Sequence, residues 1–545
     1  MSVATLPPRR LEDHETDVVV IGGGIAGAGV ARDLALRGFR ATLIEKADFA
    51  YGTTSRSSKL IHGGLRYLEL FDFGLVRESL RERETLRRLA PHVVKPLPFL
   101  VPIYRASSRG LIKVRIGLKL YDLLTPGRDR ERSRVLRPID ALSLEPAIRA
   151  EGLRGAGYYF DDLLLLPERF CLENVLSACR HGARAVNYAE VDGFVRDPGG
   201  TLAGVRVHDL VTDKLVTITA RAIVNATGPW VDELRARAGV AERGKRIVRT
   251  TKGIHCLLPR LSERAIYHST SDDRMIFVIP WREFSLVGTT DTDFDGDLDR
   301  VHATGDEVAY LLGEVRKAVT DRRVTESEVA YTYAGVRPLT FEEGKRASNV
   351  SRAHKVIAEE DGRFLSITGT KLTCYRSLAE DVGNRIATRL GRRRGGRTAR
   401  LTLDGLDEDV TTVEARATID VSAEVTASGL APETIEALVA TYGRGFRRVA
   451  ELAGKLPDGR ERLCPRNPEI AAQVHVAVHE ELAVSLQDVL LRRTGLGTSR
   501  CQGLDCAEAI GRRMAALAGW TPRRLAAELD AYRKEVARSH RFRAP

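Results

Sequence analysis

The chain has 545 residues, 43% of them hydrophobic, which is enough for more than one buried core, so a cofactor-binding unit with at least one companion is expected. Its 85 basic and 73 acidic residues leave a formal charge of +12, a thin basic excess suited to anionic substrates or an anionic lipid surface. Aromatics at 6% are too scattered for a nucleic-acid stacking platform, no uncharged apolar run reaches the ~18 residues of a bilayer span, and the 7 dispersed cysteines read as reduced core thiols with no zinc site.

Residues 1–16 are polar, carry Pro7-Pro8-Arg9-Arg10 and lack an apolar h-region, so they read as a flexible tail and not a signal peptide. From Asp17 to Glu45 the order is strand, glycine turn, helix, strand, acid. Val18–Ile21 is a short β-branched run, Ala28–Arg37 a helical stretch stopped at Gly38, and Ala41–Ile44 a second strand. Gly22 permits the tight turn, Gly24 lets backbone approach a pyrophosphate, and Gly27, next to Ala26, lets the helix pack on the strand. Glu45, 23 residues after Gly22, is placed to accept hydrogen bonds from an adenosine ribose. Segment 51–68, rich in hydroxyls and glycine, reads as a loop passing the cofactor. Thr53, Thr54, Ser57 and Ser58 offer hydroxyls there, and Arg66 is an anion fork.

The run SSKLIHGGLRYLE (residues 57–69), following GGGIAGAG (22–29), resembles the FAD-dependent, quinone-linked glycerol-3-phosphate dehydrogenases of the D-amino-acid-oxidase-like flavoproteins. The similarity continues through Asn225–Trp230, Lys252–His255, Phe277–Trp281, Gly288–Asp291, Gly335–Leu339 and Lys371–Thr373. It implies an α/β FAD-binding Rossmann-like domain, an antiparallel β-sheet substrate domain and a C-terminal, mostly α-helical domain. By this reading residues 17–390 bind FAD, with segments of about 17–100, 150–245 and 335–390 interleaved with a substrate unit at about 101–149 and 246–334. A basic linker at 391–400 then leads to the helical domain at 401–545. The cofactor contacts implied are Gly22, Gly24, Ala26, Gly27, Glu45, Thr53, Thr54, Ser57, Ser58, Lys59, Leu60, Ala226, Gly228, Lys371, Leu372 and Thr373.

Further along, 75–90 reads as an amphipathic helix whose charges form a solvated face. Residues 111–124 match strand alternation at 112, 114, 116, 118 and 120 and a helix at 112, 116, 120 and 123. Lys113, Arg115 and Lys119 give this stretch a basic edge, so both core packing and contact with anionic lipid stay open. Short alternating runs from 184 to 225 predict an antiparallel meander, ending in a buried strand and a glycine turn. Strands dominate 247–333 around a helix at about 306–319. A helix at 377–390 would point its N-terminus at the flavin ring. Thr370 stands where related sequences have glycine, which places the loop geometry there in question. The HEELA sequence at 479–483 lacks the second histidine of a zinc motif and reads as structural.

The resemblance implies oxidation of sn-glycerol 3-phosphate to dihydroxyacetone phosphate. His255 would be the general base, with Arg337 and Lys371 catalytic and Arg66, Tyr67, Thr290 and Arg352 binding substrate. Only one dinucleotide fingerprint is present, which points to electrons leaving to a membrane quinone, to oxygen or to a protein carrier. An oxygen-using glycerophosphate oxidase, an amine or amino-acid oxidase and a non-enzymatic nucleic-acid-binding protein are the competing expectations. The family likeness implies a cytoplasmic homodimer, peripheral on the inner face of the cell membrane.

Overall fold

In the computed structural model, residues 9–107, 109–127, 132–242, 245–321, 323–344, 352–392, 395–411 and 419–543 are described. The first strand, His14–Ile21, is flanked in parallel by Ala41–Ile44 and Lys214–Asn225, then by Arg184–Val186 on one side and Phe364–Thr368 on the other. All-apolar Val18–Val20 are fully buried because helix Ile25–Leu36 covers one face of this sheet, and the meander Ala189–Arg196, Leu202–Asp209 and Lys214–Asn225 belongs to it as well. Between Arg184–Val186 and Ala189–Arg196 the strand breaks at Asn187-Tyr188, where Tyr188 takes a φ of 52°.

A second sheet stands over the first. It is built on strand Val248–Pro259, antiparallel to Phe284–Gly288 and Tyr331–Thr340, and it runs on through Met275–Trp281, Ala265–Ser269, Val94–Tyr104 and Leu153–Leu164. Hydrogen bonding places 94–100, 153–164 and 335–340 in this second sheet, whereas the sequence reading sets them with the cofactor unit. Helix Gly305–Ala318, closed by a Thr304/Glu307 capping box, packs on this sheet.

Two further expectations are corrected. Residues 9–16 are not a tail: Arg9 forms a salt bridge to Asp209 at 2.7 Å and His14 begins the central strand; residues 1–8 lie outside the described residues. The charges of helix Phe73–Leu89 are not all solvated. Glu82 is fully buried on Arg376 at 2.6 Å, and Arg83 lies on Asp161 at 2.7 Å. Past the linker, of which Arg393 and Arg394 lie outside the described residues, Leu401 and Leu403 are buried and Leu403 N–H donates to the Leu89 carbonyl at 2.8 Å. The C-terminal domain is helical, as read, with a small hairpin, Arg462–Cys464 and Asn467–Ile470, added.

Candidate active site

A cavity opens where the ends of the first sheet's parallel strands meet the second sheet. It is lined by Gly22, Gly24, Ala26, Glu45, Thr53, Thr54, Ser57, Ser58, Leu60, Ala226, Gly228, Leu372 and Thr373, among others. The glycine turn is built for close approach. A Cβ on Gly22, whose φ is 105°, would lie 2.6 Å from the Ala226 carbonyl oxygen, and one on Gly27 would collide with the Gly22 carbonyl. Gly27 therefore packs helix on strand from behind the cavity wall, while Gly24 meets only Thr54 Oγ1 at 3.3 Å. At the start of helix Ile25–Leu36, Ile25 N–H donates to Thr54 Oγ1 at 3.0 Å, and Gly24 carries no capping side chain, so the N–H groups of the next residues can meet an anion.

Glu45 is held by Gly23 N–H at 2.6 Å and Ala47 N–H at 2.9 Å, with burial pushing its pKa up against those two donors. Opposite, the left-handed residue of the 368–373 loop is Gly369, with a φ of 69°, and Thr370 needs no positive φ. The glycine missing at 370 therefore leaves this turn intact. The helix that follows starts at Tyr375, two residues ahead of the expected Ser377.

Lys59 departs from the expectation. Its side chain leaves the cavity for Glu168, 3.4 Å away, and lies 4.8 Å from the centre of the Trp281 ring. Thr290 departs too, its Oγ1 being used to accept Ile254 N–H at 3.0 Å. Arg66 is not on the cavity wall. The described residues place it beside Tyr67 and Tyr267.

The remaining expected residues converge. Arg337 donates to Asp291 Oδ1 at 3.0 Å, to Thr289 Oγ1 at 2.8 Å and to the Thr290 carbonyl at 3.1 Å, and Arg352 reaches the other Asp291 oxygen at 3.7 Å. Burial lowers the Arg337 pKa in spite of Asp291. Lys371 Nζ donates to the His62 carbonyl at 2.8 Å and Ser79 Oγ at 2.9 Å, lies 5.1 Å from the centre of the Tyr67 ring, and is brought down to about 8 by burial. Gly64, at a φ of 82°, carries the chain past Tyr67 where a side chain would strike its ring.

His255 lies within strand Val248–Pro259, with Nε2 on Ser58 Oγ at 2.9 Å and its ring stacked on Tyr333 at 4.9 Å. Its Nδ1 is without a partner, and burial, then Arg337 and Lys59, hold its pKa well below 6.5. Sequence reasoning missed Asp291 and Thr289, which orient Arg337, and His62, Ser79 and Asp161. Asp161 anchors Gly63 N–H at 3.0 Å and Tyr121 OH at 2.6 Å beneath the loop. The only signal for Asp291 lay in its place in the Gly288-Thr289-Thr290-Asp291 run; Ser79 and Asp161 lie far along the chain from Lys371 and Gly63 and gave none.

Residues 17–369 match the model of the FAD-dependent oxidoreductases, and 396–525 that of the C-terminal domain of alpha-glycerophosphate oxidase. The chain belongs to the FAD-dependent oxidoreductases of the D-amino-acid-oxidase type, and the glycine cradle, the open side of Gly24 and Glu45 fit FAD as its cofactor. Within that class its relatives are glycerol-3-phosphate dehydrogenases. It is 37% identical over 541 residues to the Synechocystis sp. enzyme of that name, covering 96% of each chain. Identity to the aerobic glycerol-3-phosphate dehydrogenase of Staphylococcus aureus is 33% over 544 residues, 97% of this chain and 95% of that one. The solved glycerol-3-phosphate dehydrogenase of Bacillus halodurans, complexed with FAD, superimposes with a TM-score of 0.79 at 29% identity over 98% of this chain and 97% of that one.

Proposed function

We propose that the chain oxidises sn-glycerol 3-phosphate to dihydroxyacetone phosphate and passes the electrons to a membrane quinone. The observation that carries the substrate is the pair Arg337 and Arg352 on the cavity wall, both held by Asp291, with Lys371 and His62 sharing the same cavity. Two guanidiniums held around one carboxylate offer a phosphate dianion bidentate partners already in register. FAD, when bound, supplies the hydride acceptor.

The chain's own residues do the rest. Arg337 and Arg352 grip the phosphate, and the two other Arg337 contacts, to Thr289 and the Thr290 carbonyl, keep that guanidinium aimed while Asp291 yields. His255, neutral because its surroundings oppose charge, takes the hydroxyl proton. Lys371, fixed by Ser79 and the His62 carbonyl, stabilises the oxygen on which negative charge develops.

For the quinone, support comes from an outward patch of apolar and basic side chains on helix Leu111–Leu124, which suits a peripheral membrane site, and among the described residues no helix is long and apolar enough to cross a membrane. The oxidase C-terminal match favours oxygen as the second reading. Anaerobic stopped-flow absorbance decides. Flavin bleaching by sn-glycerol 3-phosphate, then fast reoxidation by a soluble quinone and slow reoxidation by oxygen, is expected. Fast reoxidation by oxygen establishes the oxidase, and no bleaching overturns the substrate.

A further inference from the structure

All 7 cysteines are free thiols, yet three of them converge in the C-terminal domain. Cys464 ends strand Arg462–Cys464, while Cys501 and Cys506 sit on the turn before helix Ala507–Ala518. Cys464 Sγ and Cys501 Sγ are 3.8 Å apart although 37 residues separate them in sequence. A disulfide would bring these two sulfurs to ~2.05 Å.

The surroundings favour charge on sulfur. Asn467 Nδ2 lies 3.1 Å from Cys464 Sγ and 3.7 Å from Cys501 Sγ, and Ser499 Oγ is 3.3 Å from Cys501 Sγ. Burial raises the Cys464 pKa, but N–H donors of Arg466 and Asn467, with the Asn467 amide and the Cys501 thiol, bring it below the ordinary thiol value. Cys501, half-buried, opens the pair to small solutes. Cys506 is different: its thiol faces the Gly503 carbonyl at 3.4 Å, and burial with two neighbouring sulfurs pushes its pKa up.

We propose that Cys464 and Cys501 form an oxidisable dithiol site that hydrogen peroxide converts to an intramolecular disulfide. The Cys464 thiolate attacks peroxide, breaking the O–O bond to give a sulfenic acid and hydroxide. The Cys501 sulfur then displaces the sulfenic oxygen, which leaves as water carrying the remaining thiol proton. Two thiols lose two electrons in all, and one peroxide is reduced to two waters. The bond staples the Arg462–Ile470 hairpin to the turn whose Arg500 N–H holds Glu283 at 3.0 Å and whose Gln502 carbonyl accepts Tyr532 OH at 2.6 Å.

The full-length, FAD-loaded protein should be treated with hydrogen peroxide, alkylated with N-ethylmaleimide and peptide-mapped by mass spectrometry. The expected product is a Cys464–Cys501 cross-linked peptide that dithiothreitol releases, with the other cysteines alkylated. In Cys501→Ser the cross-link is lost and Cys464 is trapped as a dimedone adduct; in Cys506→Ser the cross-link persists. Stepwise oxidation of Cys464 and Cys501 to sulfonic acids with no cross-link overturns the proposal, as does a cross-link running through Cys506.

Discussion

Asp291 bridges Arg337 and Arg352, so on the proposed reading a substrate dianion competes with a carboxylate already in place. Because Thr289 and the Thr290 carbonyl also hold Arg337, the guanidinium keeps its aim through that exchange. Arg337→Ala is therefore expected to lower kcat/KM for sn-glycerol 3-phosphate roughly 10- to 150-fold, the loss of about 1.5–3 kcal/mol of charge-assisted hydrogen bonding. An unchanged value in steady-state kinetics would take Arg337 out of the clamp. The pH profile tests the other two groups. Burial brings Lys371 down to about 8, so raising the pH through that value removes its charge, and kcat/KM is expected to fall on the alkaline side. Lys371→Arg, whose guanidinium keeps its proton, should shift that limb upward; a limb that stays put belongs to another group. The acid limb, where His255 takes a proton, is expected well below 6.5.

The segment 488–493 of the C-terminal domain grips the loop that follows Glu45. Asp48, fully buried, accepts from Arg492 Nε at 2.6 Å, from Arg493 at 2.7 and 2.9 Å and from Asn187 at 3.0 Å. Asp48→Asn leaves Arg493 in that interior without its carboxylate, while Arg492 keeps Asp488 at 2.6 Å, and removing one partner of a buried pair costs about 3–5 kcal/mol. Urea unfolding should register that loss, and FAD titration by flavin fluorescence should show weaker retention, since Glu45 and Asp48 share one loop. Burial alone would raise the Asp48 pKa, but the two arginines hold it at about 2, below the 3.8 of a free carboxyl. The stability it contributes is present above pH 3.8 and is lost as the pH falls through about 2. None of this was legible in the chain: 445 residues separate Asp48 from Arg493. What could be read was local. The glycine turn, Glu45 and the hydroxyl loop carry their chemistry in consecutive residues, and the meander and C-terminal helices announce their period. The inward charges of helix Phe73–Leu89 escaped because hydrophobic period alone does not reveal a buried arginine's distant partner, and Lys59 and Thr290 because a motif names a residue without its rotamer.

Among the described residues, one helix turns several large apolar side chains outward with cations beside them. Helix Leu111–Leu124 turns Leu118 and Tyr121 inward, while Ile112, Ile116 and Leu123 are 77%, 63% and 79% exposed. The face at 112, 116 and 123, part of the stripe that suggests a helix in the sequence, is thus the outer one. Glu69 binds both Arg109, at 2.8 Å, and Lys113, at 3.2 Å, and so draws in the adjoining loop, where Phe71 is 79% exposed. Lys113, Arg115 and Lys119 are exposed around this patch. The basic linker is the weaker lipid candidate, since Arg392 is committed to Asp17 at 3.2 Å. Entering a headgroup layer, each large apolar side chain contributes about 1.5–3 kcal/mol when fully buried and each cation about 1 kcal/mol near an anionic surface. Phe71→Ser with Ile112→Ser is therefore expected to weaken pelleting with anionic liposomes roughly 100-fold or more, with flavin reduction by substrate unchanged. Lys113→Glu with Arg115→Glu should instead flatten the salt dependence, because exposed charges are screened within about 10 Å at ~0.1 M salt. Binding indifferent to both pairs of changes would move the membrane contact to another face and leave the site chemistry untouched.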